Sequence, residues 1–309
     1  MHKNDNVRTI LQILAFFFPH PVNVWLHRLA SAKIGRHALI HPGVLILARS
    51  VEIGPSARIR FGTMISARSF SAGEKTLIGY FVQAKGMSDL KIGPACVIGP
   101  QTMINCDCPV TLNYYSGVGP RCTLFTHGSF LPTTEGYRTT FGSIELKEKA
   151  WVTMGSTVGP GVTVGAGTTV MPGTVLLESV GPKRLVSGNP VKLMNIPFFP
   201  SSKNKTLEEL AAAIQEQYCI WATTFDGSGA VFSNGALTIT HWGRRITVSL
   251  GENADVALLT RPGETRKGMY FNLADLRTDE RRHAAKSKFE GFMRLYYGLT
   301  FLSASKDLK

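Results

Sequence analysis

The chain lacks a paired Cys-x-x-Cys, and its cysteines are odd in number. Cys96, Cys106, Cys108, Cys122 and Cys219 therefore fit neither a disulfide framework nor zinc-finger spacing. Four of the five fall in repeat-like sequence where a small buried residue is wanted, so reduced thiols in a cytoplasmic protein are expected. A bilayer-spanning run is also missing. The N-terminal apolar stretch Ile10–Phe18 is nine residues and contains Gln12. Lys3 and Arg8 precede it as in a signal peptide. The one small-x-small site (Ala30, Ala32) lies too far beyond, past two prolines, two histidines and an arginine, so secretion is not expected. Acidic residues are scarce, 21 against 34 Lys/Arg, for a net charge of +13. The excess is uneven: residues 1–199 carry 19 basic and 9 acidic side chains, residues 200–309 carry 15 and 12. With no RNP-like aromatic motif and no long basic run, no nucleic-acid partner is expected. A small polyphosphate ligand or an anionic membrane surface suits the balance better. A hydrophobic share of 44% with 18% charged residues belongs to a globular chain.

What is present is a period of six. Residues Leu146–Val175 read LKEKAW, VTMGST, VGPGVT, VGAGTT, VMPGTV, with an aliphatic at 146, 152, 158, 164 and 170. A small residue follows four places later each time: Ala150, Ser156, Val162, Thr168, Thr174. Six matches neither the 3.6 period of a helix nor the alternation of a sheet strand. It matches a coil that turns a corner every six residues, with the aliphatic inside a narrow prism and Gly or Asn accepting the unusual turn angles. The signal starts at Ile34, recurs at residues 78, 92–103 and 118–129, and slips phase at each break, which predicts loops inserted at corners of one solenoid. It closes at Ser187–Lys192, before Pro197 and Pro200.

Three regions follow. Residues 1–33 predict a helical cap over the open end of the coil, with Trp25, Leu26 and Leu29 on one helix face and docking at a membrane interface as a compatible second use. Residues 34–196 are the repeat domain. Residues 201–309 predict a small α+β domain: a helix from Thr206, strands near Ala230–Ser233, Ala236–Thr240, Ile246–Leu250 and Val256–Leu259, and a basic helix around Arg281–Tyr297. No catalytic motif is visible there. Trp221, Trp242, Tyr296 and Tyr297 read as core first and as a sugar-stacking face second.

Of eight histidines, only His127 stands where a non-repeating insertion (Ser129–Ile144) leaves the solenoid just before the best-ordered coils. An imidazole on a rigid corner beside a loop is placed to act as a general base.

The hexad array, Thr126-His127 ahead of the insertion, Trp151, Gly165-Ala166-Gly167-Thr168 and the closing Gly188-Asn189-Pro190-Val191-Lys192 together resemble the left-handed parallel β-helix acyltransferases. The galactoside/maltose O-acetyltransferase-like group, including polysaccharide O-acetyltransferases, is nearest, over residues 34–195. The resemblance implies a mainly β fold, a homotrimer, and acetyl-CoA in the groove between neighbouring prisms. His127 would take the proton of an acceptor hydroxyl in a direct transfer without an acyl-enzyme, and a main-chain N–H would hold the oxyanion. It implies acceptor-side roles for Asn105 and Trp151. Gly155, Ala166 and Gly167 would lie along the pantetheine, and Lys183, Arg184 and Lys192 would take the CoA phosphates. Met154 and Met171 depart from the small polar residues of relatives, and no second histidine follows His127. The expected activity is O-acetylation of a sugar in a surface polysaccharide or its precursor, in the cytoplasm or at the inner membrane face. N-acetylation of an amino-sugar nucleotide and a non-catalytic trimeric scaffold are the alternatives. A zinc hydratase would need three converging histidines, and His37 and His41 lie several coils from His127, so no metal is expected.

Overall fold

The computed structural model describes residues 3–128, 140–194, 207–224, 229–233, 236–241, 244–250, 255–259, 269–272, 277–278, 289–290, 292–293 and 302–303. The chain divides into two compact units, Met1–Phe198 and Phe199–Lys309.

In the first unit the hexads build a three-sided parallel β-helix. Its faces are two seven-stranded sheets and one nine-stranded sheet, visited in turn by every coil. Face A runs from Lys33–Ile34 to Thr163–Val164, face B from Leu39–Ile40 to Lys192–Leu193, and face C from Leu45–Leu47 to Val175–Leu176. The aliphatics of successive coils stack in register: Leu146 on Val164 (face A), Val152 on Val170 (B), Val158 on Leu176 (C). All six are fully buried. Each such side chain contributes roughly 1.5–3 kcal/mol on burial, so the ladder forms the core of the prism. The small residue at the turn has its own reason. Buried Thr63, Thr102, Ser156 and Thr168 donate their hydroxyls to carbonyls of the next coil, at 2.8, 2.8, 2.9 and 2.6 Å. A small hydroxyl satisfies a turn carbonyl where a larger side chain would not fit.

The phase slips all fall at one corner. Along faces A, B and C the inward residues stay six apart, and the excess lies between C and A. It is one residue at Ile46–Ile53 and Ile65–Ala72, two at Ala84–Ile92 and Ile104–Leu112, and sixteen at Leu124–Leu146. After Leu146 the step from Val158 to Val164 is six again.

Two helices precede the first coil: α1 (Lys3–Phe17) and α2 (Val22–Leu29). Gln12 of α1 donates to the Ala48 carbonyl at 2.9 Å and accepts from its N–H at 3.4 Å. Asn23 of α2 donates to the Ile40 carbonyl at 2.9 Å. These bonds fix both helices on the start of the prism. At the far end, Lys192–Leu193 turns back antiparallel onto Val186–Ser187 and closes face B.

The second unit holds α3 (Leu207–Thr224) and a seven-stranded sheet, antiparallel until its last pair. The strand bounds Gly229–Ser233, Ala236–His241, Arg244–Leu250 and Asp255–Leu259 follow the alternating runs of the sequence. Tyr218 packs edge-on against Phe289, which in turn meets Phe271. Trp242, Tyr296, Tyr297, the Trp221 side chain and most of Arg281–Tyr297 lie outside the described residues.

Candidate active site

The C/A corner gathers the chemistry. Leaving face C after Thr123–Leu124, the chain places Thr126 inside and His127 outside, then His127–Gly128 pairs antiparallel with Thr140–Phe141. That hairpin is the stem of the insertion; residues 129–139 lie outside the described set. The His127 ring stacks on Phe141 with centroids 5.7 Å apart and planes 17° apart, so the imidazole is held on its outer side as well.

Below it, the preceding coil supplies the partners. His127 Nδ1 lies 3.0 Å from Asn105 Oδ1 and 3.0 Å from Asp107 Oδ2. The Asn105 amide has its orientation set independently. Its Nδ2 donates to Asp107 Oδ2 at 2.9 Å, and its Oδ1 accepts the Thr126 hydroxyl at 2.7 Å and the Thr126 N–H at 3.3 Å. With Asn105 Oδ1 fixed as an acceptor and Asp107 a carboxylate, Nδ1 faces two acceptors and must carry the proton. The lone pair then sits on Nε2, which has no hydrogen-bond partner among the described residues. Asp107 is itself anchored by the Met87 N–H at 3.2 Å, and Thr126 by the Cys108 N–H at 3.0 Å. This is the logic of a base oriented by a carboxylate: the imidazole is locked in the tautomer that accepts a proton from outside. Beside it, burial and then the charges of Asp107 and Asp89 push the Cys106 thiol up to about 11, so it stays a neutral core residue.

Asp107 was not among the residues picked from sequence. It occupies the two-residue excess of its coil, so the phase slip itself was the available signal. Asn105 spends its amide on Thr126, His127 and Asp107, which makes it part of the frame around the base. Trp151 is elsewhere: it opens a face B strand one coil on, with its indole over Gly117. A Cβ on Gly117 would stand 1.9 Å from Trp151 Cζ3, so only glycine lets the ring lie flat there.

The residues expected along a CoA chain fall in three places. Ala166, Gly167 and Lys183 stack at the A/B corner, where Lys183 N donates to the Ala166 carbonyl at 2.8 Å, and exposed Arg184 adjoins them. Gly155, at φ +67° with open space where a Cβ would be, marks the B/C corner next to exposed Met154. Met171 shares that corner one coil on. Lys192 is exposed at the closing edge of face B. His37 lies at the A/B corner of the first coil, and His41 Nε2 lies 3.2 Å from Arg60 at the B/C corner. Burial and then the charges of Arg60 and Arg58 lower the pKa of His41.

No protein-family model matches the sequence, and no curated protein does. Solved structures with a similar solenoid include an N-acyltransferase, AntD, from Bacillus cereus in complex with dTDP and 3-hydroxybutyryl-CoA. It is 16% identical, over 58% of this chain and 90% of that one, at a TM-score of 0.38. A hexapeptide-repeat acetyltransferase from Vibrio cholerae complexed with acetyl-CoA is 16% identical, over 62% and 86%, at 0.32. A mutant GDP-perosamine N-acetyltransferase from Caulobacter crescentus, with CoA and GDP-perosamine, is 18% identical, over 57% and 65%, at 0.28. At these scores the likeness carries no residue role across.

Proposed function

We propose that this chain is an acyltransferase that moves an acetyl group from acetyl-CoA to a hydroxyl of a sugar, in a surface polysaccharide or its precursor, with His127 as general base. The observation that carries the reading is the doubly accepted Nδ1–H of His127, which leaves Nε2 basic beside the two-stranded stem of the insertion. As the acceptor oxygen attacks the thioester carbonyl, its proton passes to Nε2, and Asp107 steadies the resulting imidazolium. Collapse of the tetrahedral intermediate expels the CoA thiolate, which takes that proton back, so the base is restored and no acyl-enzyme forms.

The donor-side residues support a homotrimer in this reading. Ala166, Gly167, Lys183 and Arg184 at the A/B corner suit the arm and phosphates of CoA: main chain is accessible and two cations adjoin it. Gly155, Lys192 and Trp151 lie at other places on the same prism. Prisms packed side by side would bring the different corners of neighbouring copies into one groove.

N-acetylation of an amino-sugar nucleotide is the second reading, because the same base serves an amine that loses its proton after attack. An acceptor panel decides between them, with plain glycosides and oligosaccharides on one side and amino-sugar nucleotides, such as those named in the structures above, on the other. The first test is calorimetric titration with acetyl-CoA of the wild type and of His127→Ala. Both are expected to bind about equally, with transfer by the variant lower by about two to four powers of ten. Normal turnover by the variant removes His127 from the mechanism, and no saturable binding by the wild type leaves the solenoid as a scaffold.

A further inference from the structure

The two N-terminal helices are apolar on the side that faces away from the prism. On α1, Val7, Ile10, Ile13, Leu14 and Phe17 are 55, 56, 43, 42 and 70% exposed. At 100° per residue they fall within an arc of about 120°, opposite the arc of Gln12 and Ala15 that is buried on the first coil. On α2, Val22, Trp25 and Leu29 continue the patch at 40, 59 and 51% exposure, while Asn23, Val24, Leu26 and His27 are buried beneath. The Gln12 and Asn23 hydrogen bonds to Ala48 and Ile40 prevent either helix from rolling its apolar side inward. A soluble surface rarely carries so contiguous an apolar patch without an occupant.

The charge around the patch selects that occupant. Residues 1–49 contain six Lys/Arg and one acid, Asp5; Arg8 pairs with Asp5 and Lys33 with Glu52, which leaves Arg28, Arg36 and Arg49 as the cationic excess among the described side chains. Beside Trp25, a cleft of about 520 Å³ between α2 and the first coil is lined by His20, Arg28 and His37. An apolar arc with aromatic edges and cationic flanks matches an anionic bilayer surface: acyl chains take the arc, and headgroup phosphates meet the cations. The helices are too short to do more than lie in the interface. α1 has 15 residues, about 22 Å of helix against the ~30 Å of a hydrocarbon core. Among the described residues no helix is long and apolar enough to cross.

We propose that α1 and α2 dock the protein in the plane of an anionic lipid bilayer, with Phe17 and Trp25 as the inserted anchors. This is independent of the catalytic reading. Flotation of the full chain with extruded phosphatidylglycerol/phosphatidylcholine vesicles tests it, against phosphatidylcholine alone and against rising salt. The wild type is expected to float with the anionic vesicles, less with the neutral ones, and less again in high salt. Phe17→Ser combined with Trp25→Ser should lower partitioning by about two powers of ten, with far-UV circular dichroism unchanged. Absence of flotation with anionic vesicles overturns the proposal, as does undiminished flotation of the double variant. A third overturning result is a fall in oligomer mass with the same substitutions and no vesicle binding, which assigns the face to a second copy of the chain.

Discussion

The orientation of His127 by Asp107 can be tested with Asp107→Asn, a change that preserves shape and removes charge. Asn105 Oδ1 is fixed by two donors from Thr126, so it continues to accept from His127 Nδ1 and keeps the tautomer. What is lost is the anion 3.0 Å from the imidazole, where both side chains are about one-third exposed. Two unit charges near 4 Å attract by about 4 kcal/mol at the effective dielectric of a protein surface. What solvent screening leaves is about the worth of a charge-assisted hydrogen bond, roughly 1.5–3 kcal/mol, acting on the imidazolium of the transition state. The expected fall in kcat is therefore about ten- to a hundredfold, with little change in KM for the thioester. Removing the second acceptor as well, in Asn105→Ala with Asp107→Asn, releases the tautomer, and kcat should then fall about as far as in His127→Ala. Free thiol released from acetyl-CoA in the presence of the identified acceptor gives the rates. Long-range ¹H–¹⁵N spectra of histidine-labelled protein give the tautomer directly, before any acceptor is known. An Nε2–H tautomer in the wild type, or an Asp107→Asn rate within twofold of wild type, would rule out this role for Asp107.

His27 predicts an acid-sensitive N-terminal unit. It is fully buried with neither ring nitrogen partnered among the described residues, and burial pushes its pKa down to about 4. The folded state holds the ring neutral while the unfolded chain protonates it near pH 6.5. Its stabilising effect is thus fully present above about pH 6.5 and lost as pH falls toward 4, by about 3 kcal/mol in all. His27→Leu should flatten the dependence of the thermal midpoint on pH between 7 and 4.5, and an unchanged slope would count against it. Gly117→Ala drives a Cβ into the Trp151 indole and should destabilise by about 1–3 kcal/mol in chemical denaturation, with the indole fluorescence altered. A variant as stable as wild type would mean the ring does not rest there.

The prism was legible because its cause is local. Each inward aliphatic from Leu146 to Val170 is fixed by its own hexad, and burial of that one side chain is most of what the coil needs. The strands of the second unit follow from alternation in the same way; the expected helix cap, Thr206, lies outside the described residues. The site was legible only in part. His127 could be picked out because an insertion follows it, but its partners come from the previous coil, twenty and twenty-two positions earlier in the chain. Nothing in the residue types of Asn105, Asp107 and Thr126 announces that they meet. Trp151 shows the converse. Its acceptor-side role came from the resemblance alone, and six residues per side put it on face B, away from the C/A corner of its own chain.

The spacing of the hexads still held the missing information, in its errors rather than its regularity. Regular hexad positions do pair across coils, as Lys33 does with Glu52 and His41 with Arg60, while residues beyond the six lengthen the coil at one corner alone. The excess of one, one, two, two and sixteen between faces C and A marks the corner where the chain departs from the prism, and Asp107 and the hairpin stem after His127 both fall on it. The test of this argument is deletion at an unused slip: shortening the one-residue excess near Arg49 should disturb local stability while leaving the His127 tautomer intact. The same shortening at Cys106–Pro109 should lower kcat about as far as Asp107→Asn does, because Asp107 would lose the bulge that carries its charge to the imidazole.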